Sequence, residues 1–272
     1  MIVKKFDVVI VDSYASQRSA LLAIEKSVQT GLVGRVHTYA SQPIYPGEEF
    51  HCIAPVRSTA DYSHYLLNII PYEIPDRPVL VIQWDGMPKD ASRWQNAFLD
   101  WDYIGAPWSE VDDGKAVGNG GFSLRSPRLH TALRHLKIRC DSGQPDGDVE
   151  DHLICKTYRS AIEALECRFA PLPLAQLFAV ENVHTHATFG FHGVFNMPLF
   201  LQEAELLPCA EEICIRTPRP LFMLNFMVAC LRQNYLDLYR ETLRCLQVQG
   251  RIAALTEILQ QTTVKLPGFN AE

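Results

Sequence analysis

VVIVDSYASQRSALLAIEKSVQTGLVGRVHTY, running from Val8 to Tyr39, is the stretch that decides the fold. Val8, Val9, Ile10 and Val11 form an unbroken β-branched run, the pattern of a strand covered on both faces in a parallel sheet. Polar residues come next, and then Leu21, Ile24 and Val28 recur at helical spacing, with Gly31 as the stop. A second strand is expected from Arg35 to Tyr39, so the stretch reads as a βαβ unit and the chain as an α/β protein with a Rossmann-like sheet. Ligands of such sheets gather at the carboxyl ends of the strands, which makes Val11, Asp12 and Ser13 candidate nucleotide-binding residues. No Gly-x-Gly-x-x-Gly comes after the first strand, which counts against the dinucleotide-binding version of the fold.

Working outward, Asp61 to Ile74 has a helical pattern interrupted by Pro71, and Pro78 leads into VLVIQWDG, a buried strand ending in Asp85 and Gly86. FLDWDYIGAPW, Phe98 to Trp108, reads as a strand entering a structured loop at Gly105 and Pro107. VGNGGFSLRS, Val117 to Ser126, is glycine-rich before a short strand, and Ser126 with Pro127 is a good start for a helix over Arg128 to Ile138. GQPDGD has the composition of a flexible loop, and its Asp148 is a candidate N-cap for a helix with an apolar face of Ile154, Tyr158, Ile162 and Leu165. LFAVENVHTHATFGFHG is a last mixed strand and loop region. From about Leu199 helix formers take over, with Leu236, Tyr239, Leu243 and Leu246, then Ile252, Leu255 and Leu259, marking two or three packed helices. The expected organisation is a main domain over residues 1–198 and a helical C-terminal extension over 199–272.

At 272 residues and 47% hydrophobic content the chain can bury one large core with a small addition. A net charge of -6 supplies no broad basic surface, so a nucleic-acid partner is not expected. The opening MIVKKFDVVIVDSY lacks the long apolar region of a signal peptide, and no stretch reaches membrane-spanning length. The eight cysteines show no Cys-x-x-Cys pair and sit mostly in apolar helical contexts. The expectation is a cytoplasmic protein with reduced thiols and no transmembrane segment. The C-terminal helices suit packing on the main domain, a homodimer, or docking to an acceptor-carrying partner equally well.

Several residues could carry chemistry. Gly118, Gly120 and Gly121 leave space either for a sugar against the backbone or for a plain bulge. Trp108 offers a flat wall for a sugar ring, whereas Trp84, Trp94 and Trp101 suit the core as well. Glu150 and Asp151 open a helix, where they either perform general-base chemistry or complement the helix dipole. Arg18, Arg57 and Arg125 are candidates for a diphosphate clamp, Arg125 having the best context. Asp85 before Gly86 is either a metal ligand or a turn residue. His184 and His186 have no partner at zinc-site spacing and are read as loop residues.

The ordered set Gln83-Trp84-Asp85, Asp102 to Trp108 (DYIGAPW), Gly118 to Arg125 (GNGGFSLR), Glu150-Asp151 and Phe191-His192-Gly193 resembles a largely bacterial family known as a domain of unknown function and grouped with GT-A glycosyltransferases. The resemblance covers roughly Phe6 to Met197 and leaves out the helical tail. More distantly, the chain is similar to inverting galactosyltransferases of the GT-A fold, which share an acid at a strand end, a Gly-Gly segment, a Glu-Asp pair and a late histidine.

This resemblance implies a GT-A nucleotide-diphospho-sugar transferase fold and a glycosyltransferase (hexosyltransferase-like) activity, with a UDP-sugar as donor and a glycan or lipid-linked acceptor. Asp85 matches the last acid of the Asp-x-Asp motif and His192 the late histidine, so both would hold a divalent metal, Mn²⁺ or Mg²⁺; Gln83 replaces the first acid. Asp151 would be the catalytic base of an inverting reaction, with Glu150 binding sugar hydroxyls. Val11, Asp12, Ser13, Arg18, Arg125, Gly120 and Gly121 would bind the donor, and Trp108 and Asn119 the acceptor sugar. The alternatives are a retaining transferase, a non-catalytic sugar-nucleotide-binding or scaffold protein, and a metal-dependent nucleotidyltransferase or phosphohydrolase, which should bring more acids to the ion than Asp85 alone. Bacterial polysaccharide biosynthesis is the implied setting.

Overall fold

The computed structural model describes residues 5–108, 114–140, 149–182, 187–261 and 266–267. The chain divides into two units, residues 1–192 and 193–272. The expected Asp148 cap and the histidines at 184 and 186 lie outside the described residues.

The first unit is a mixed α/β fold. Its strands are β1 (Phe6–Val11), β2 (Val33–Ala40), β3 (Glu49–Cys52), β4 (Val79–Val81), β5 (Gly86–Pro88), β6 (Tyr103–Gly105), β7 (Ser123–Arg125), β8 (Ala179–Val180) and β9 (Gly190–His192). The main sheet has the order β3-β2-β1-β4-β7-β6. β3, β2, β1 and β4 run parallel, and β7 lies antiparallel to both β4 and β6. The opening βαβ unit forms as expected, with the helix Arg18–Gln29 between β1 and β2. All six residues of β1 are buried. Covering Val8, Val9 and Ile10 in this way contributes about 1.5–3 kcal/mol per side chain.

A second sheet, β5-β9-β8, was not foreseen. Its strands have two or three residues, too few to show a period of two. β4 enters it through a tight turn, in which Gly86 N donates to Gln83 O at 3.0 Å and Gln83 N to Gly86 O at 3.3 Å. Asp85 therefore is a turn residue, and the turn places it where the two sheets part. Behind them Phe98, Phe122, Phe178 and Phe189 pack ring on ring, with the partly buried Trp94 against their edge, at centroid distances of 5.1 to 6.5 Å.

Two helices depart from regular α geometry. Pro71 has no N–H to give to the preceding turn, and the chain widens into a π turn, Tyr65–Ile69, between the helices Thr59–His64 and Ile70–Glu73. A second π turn, Leu153–Thr157, succeeds the single α turn Glu150–His152, with Tyr158 N donating to Leu153 O at 2.8 Å. The extra residue rotates the remainder of the helix, so Ile154 and Ile162 are fully buried while Tyr158 is 36% exposed. The helix Pro127–Leu136 begins as expected: Ser126 Oγ accepts from Leu129 N, and Pro127 takes the position where no N–H is needed.

The second unit is helical, as expected of the C-terminal region. Its longer elements are Pro220–Arg232, Leu236–Val248 and Ile252–Gln260, preceded by shorter helices from Met197 onward. The buried face of Leu236–Val248 is Leu238, Tyr239, Thr242, Cys245 and Leu246, with Leu236 exposed, a rotation from the expected face. The eight cysteines are free thiols. Among the described residues no helix is long and apolar enough to cross a membrane.

Candidate functional site

The main sheet sets the site at the carboxyl end of β4. β7 is antiparallel to β4, with Ser123 opposite Val81, so residues 119–122, which precede β7, reach the same edge. β9 pairs with β5 so that His192 lies opposite Gly86, which brings the histidine to the turn that holds Gln83 and Asp85. Glu150 and Asp151 approach from the other side, where Glu150 N donates to Ser63 Oγ at 3.1 Å.

On one flank, His192 Nε2 is 3.0 Å from Gln83 Oε1 and 3.6 Å from Asp85 Oδ1. Its Nδ1 is 3.0 Å from Glu181 Oε1 and 3.0 Å from Asn119 Nδ2. Asn119 Oδ1 accepts from Gly121 N at 3.0 Å, which fixes its amide with Nδ2 toward the ring. The carboxylate of Glu181 is then the acceptor for the Nδ1 proton. Burial works against charge on His192, but Asp85 and Glu181 outweigh it and hold the ring at about 9.

On the other flank, Arg125 is 1% exposed, and its Nη2 donates to Glu150 Oε1 at 2.7 Å. Its Nε donates to Ser123 Oγ at 3.1 Å, and its guanidinium lies 5.5 Å from the centre of the Tyr103 ring. Asp151 Oδ2 accepts from Gly120 N at 2.9 Å and its Oδ1 from His152 N at 2.7 Å. Burial and the Glu150 charge nonetheless push the Asp151 carboxyl up to about 7. Tyr103 Oη donates to Gly118 O and Asn119 O, at 2.9 and 3.1 Å, and so ties down the glycine segment. Burial first, and then Glu150, raise the Tyr62 hydroxyl well above its ordinary range.

The glycines have a specific steric reason. A Cβ at Gly120 would strike Glu150 Oε1 and lie 2.9 Å from Asp151 Cβ; one at Gly121 would strike His192 Nε2 and lie 2.8 Å from Gln83 Oε1. A Cβ at Gly118 would enter the Trp108 ring. The space expected for a sugar is thus filled by the site's own side chains, which lock both flanks onto one loop.

Gln83, Asp85, Asn119, Gly120, Gly121, Arg125, Glu150, Asp151 and His192 are therefore brought into one neighbourhood. Two of them are placed otherwise than expected. Arg125 is a buried partner of Glu150, and Asn119 is 5% exposed with its amide oxygen taken up by Gly121 N inside the protein. Trp108 is half-buried, edge-on to the His152 ring at 4.9 Å and under Lys156 Nζ at 4.7 Å. Val11, Asp12 and Ser13 lie one strand over, at the carboxyl end of β1; Asp12 Oδ1 accepts from Tyr14 N and Ser13 Oγ from Val56 N. Arg18 is the first residue of the next helix, and Arg57 gives its N–H to Asp61 Oδ2 in the Thr59–His64 cap. Sequence reasoning assigned Tyr103 no role beyond its place in the DYIGAPW motif, and Glu181 and Ser63 none, because their side chains act through tertiary contacts.

The donor set suits a divalent cation with few protein ligands. Asp85 Oδ1 is buried and accepts no hydrogen bond among the described residues. With His192 Nε2 and Gln83 Oε1 beside it, and Glu181 orienting the ring through Nδ1, the arrangement is that of a histidine ligand backed by a carboxylate. Among the described residues no group of three or more His, Cys, Asp or Glu converges to hold an ion by itself. An ion that takes one or two protein groups and completes its shell with other oxygens matches this set.

The family model "Protein of unknown function (DUF5672)" matches residues 49–192, more than half of the chain, and the chain belongs to this family. The matched segment holds both flanks of the site and ends at His192. A search of curated proteins finds no match. Among solved structures the chain is similar to a glycosyltransferase involved in the glycosylation of the major capsid of PBCV-1, at 10% identity and a TM-score of 0.40, covering 68% of this chain and 94% of that one. It is also similar to the galactosyltransferase LgtC in complex with donor and acceptor sugar analogs, at 15% identity and a TM-score of 0.41, covering 68% of this chain and 86% of that one.

Proposed function

We propose that this member of the DUF5672 family is a GT-A-type glycosyltransferase that moves a sugar from a nucleotide-diphosphate donor, a UDP-sugar, to a hydroxyl of a glycan or lipid-linked acceptor. The observation that carries the reading is the Asp151 carboxyl. It is held rigidly by two backbone N–H groups, raised to about 7, and flanked by the Arg125–Glu150 pair. A base poised near neutrality combines the right protonation state with driving force for proton transfer.

Asp151 takes the acceptor's O–H proton as that oxygen attacks the anomeric carbon, and the bond from this carbon to the diphosphate oxygen breaks with its electron pair going to the phosphate. Attack on the face opposite the leaving group inverts the anomeric centre. Each Asp151 oxygen uses one lone pair on a backbone N–H and keeps another for the incoming proton. Glu150, fixed by Arg125, binds sugar hydroxyls. Arg125 Nη1, buried and with no hydrogen-bond partner among the described residues, is assigned to a donor oxygen, so the residue keeps a donor-binding role from inside the protein. Asp85 and His192 would hold Mn²⁺ or Mg²⁺, which offsets charge on the leaving diphosphate when bound. Val11, Asp12, Ser13 and Arg18 are assigned to the nucleotide end of the donor and Trp108 to the acceptor sugar. Transfer belongs to residues 1–198, with 199–272 as a helical extension, in the bacterial cytoplasm and in polysaccharide assembly.

The test is Asp151→Asn in the purified full chain, assayed with a panel of nucleotide sugars. Transfer should fall by about 10²–10⁴-fold with donor affinity retained; undiminished turnover refutes the base assignment. Gln83 in place of an acid favours one other reading, a non-catalytic sugar-nucleotide-binding or scaffold protein. Donor binding without donor hydrolysis or transfer, for every sugar and in the presence of Mn²⁺, would select it.

A further inference from the structure

A cavity of about 630 Å³ lies in the first unit, lined by His64, Asn68, Tyr72, Lys137, Arg139 and Cys140. We propose that it anchors the phosphoryl end of a phosphorylated sugar acceptor, an inference that rests on the transferase reading above. Among the described residues, the lining brings one ammonium, one guanidinium, one imidazole and one amide to the same space, and no carboxylate. In a chain with 31 acidic against 25 basic side chains, such a lining runs against the average surface and matches an anion with several oxygens.

Three further observations fit this ligand. Asn68 Nδ2 donates to Ile138 O at 2.8 Å, which pins the segment after the helix Pro127–Leu136 to the π turn and fixes where Lys137 and Arg139 stand. Lys137 caps that helix in the left-handed region, at φ 50°, a place where glycine or asparagine is ordinary. Its charge complements the negative end of the helix, but that role does not require Arg139 or His64, which come from beyond the helix and from another element. Tyr72 is 55% exposed, with the Arg134 guanidinium 6.0 Å from its ring centre, and so offers a sugar ring an apolar face beside the cations.

The cavity also adjoins the machinery. His64 comes directly after Ser63, whose hydroxyl accepts from Glu150 N, and a second cavity of about 520 Å³, lined by Arg57 and Asp61 among others, shares the His64 wall. An acceptor held by its phosphate here is anchored on the element that positions the Glu150–Asp151 turn. The same phosphoryl chemistry comes from a soluble sugar phosphate or from a lipid-borne one.

The test is binding, independent of turnover, with inorganic pyrophosphate as the probe in calorimetry on the full chain. Wild type and Asp151→Asn should bind alike. Lys137→Ala with Arg139→Ala, both at exposed positions, should weaken binding about tenfold or more, the value of one charge-assisted contact, with only a small fall in Tm from the lost helix-end charge. Competition by glucose 1-phosphate assigns a soluble acceptor. Sedimentation with phosphatidylcholine vesicles doped with phosphatidic acid, lost in the double variant, assigns a lipid-borne one; either supports the site. No pyrophosphate binding by wild type, or equal binding by the double variant, overturns it. Failure of the transferase reading would show differently, as intact pyrophosphate binding with no transfer by wild type. A double variant that raises KM for a donor instead of an acceptor would also overturn the assignment.

Discussion

Asp151→Asn should make the protein more stable at alkaline pH and less stable at acid pH. In the fold the carboxyl is held at about 7 against an ordinary 3.8, because burial and the Glu150 charge oppose its ionisation. For an acid raised in this way the cost is absent below the unfolded value, grows as pH climbs from there, and is complete above the folded value. Its ceiling is about 4 kcal/mol, and relaxation around a half-buried group brings the working figure nearer to about 3 kcal/mol. Asparagine is neutral at every pH and carries none of this cost. It does lose an acceptor: the two carboxylate oxygens receive Gly120 N and His152 N, and an amide NH₂ facing either donor leaves it unsatisfied, for about 1–2 kcal/mol. The variant should therefore be about 1–2 kcal/mol less stable than wild type near pH 4 and about 1–2 kcal/mol more stable near pH 8. Urea denaturation of both proteins across that range reads the difference, in which groups common to both largely cancel. A pH-independent difference, or a wild type that remains the more stable near pH 8, would refute the argument that Asp151 is raised by its surroundings.

Arg125→Met should cost about 3–5 kcal/mol in the same assay, because it leaves the Glu150 side chain, 5% exposed, as an unpaired buried charge; adding Glu150→Met should return most of that stability, and a single variant losing under about 1 kcal/mol would show a pair no tighter than a surface one. Gly121→Ala should destabilise by about 1–3 kcal/mol and displace His192, since its Cβ meets His192 Nε2 and Gln83 Oε1, with ring displacement read from the histidine's NMR signals. Mn²⁺ affinity measured by calorimetry should rise about tenfold per pH unit on approach to pH 9, because the ion must displace a ring proton held at about 9. His192→Ala should flatten that slope and Gln83→Asp should tighten binding; an affinity that ignores pH in wild type would remove the histidine from the ligand set.

How much of this was legible in the sequence depends on the range of the interaction that sets each feature. The β1–helix–β2 unit was readable because its period is local: six buried residues in a row, then a helical stripe, then a glycine stop at positive φ. The second sheet was not, since strands of two and three residues owe their existence to the partner across the ladder. The π turn at 153–157 defeated the helical periodicity by adding one residue to a turn, and Tyr158 moved off the buried face. In the second unit Thr242 is buried where a leucine face was expected, because its hydroxyl satisfies itself on Leu238 O at 2.7 Å and so carries no polar cost.

The glycine segment divides the site in the same way. Gly118, Gly120 and Gly121 read as room for a sugar or as a plain bulge, and in the structure the close approach is made by the protein's own side chains. The identity of the approaching groups is set by tertiary structure: Trp108, Glu150 with Asp151, and His192 with Gln83. The loop is thereby a shared wall between Glu150 with Asp151 on one side and His192 with Gln83 on the other, with no side chains of its own at Gly120 and Gly121. A Cβ at Gly120 meets Glu150 and Asp151 first, whereas one at Gly121 meets His192 and Gln83 first. Coupling through the loop would then make Gly120→Ala alter Mn²⁺ affinity and Gly121→Ala alter the pH profile of transfer. Each substitution disturbing only its own flank would show that the two halves of the site are mechanically independent.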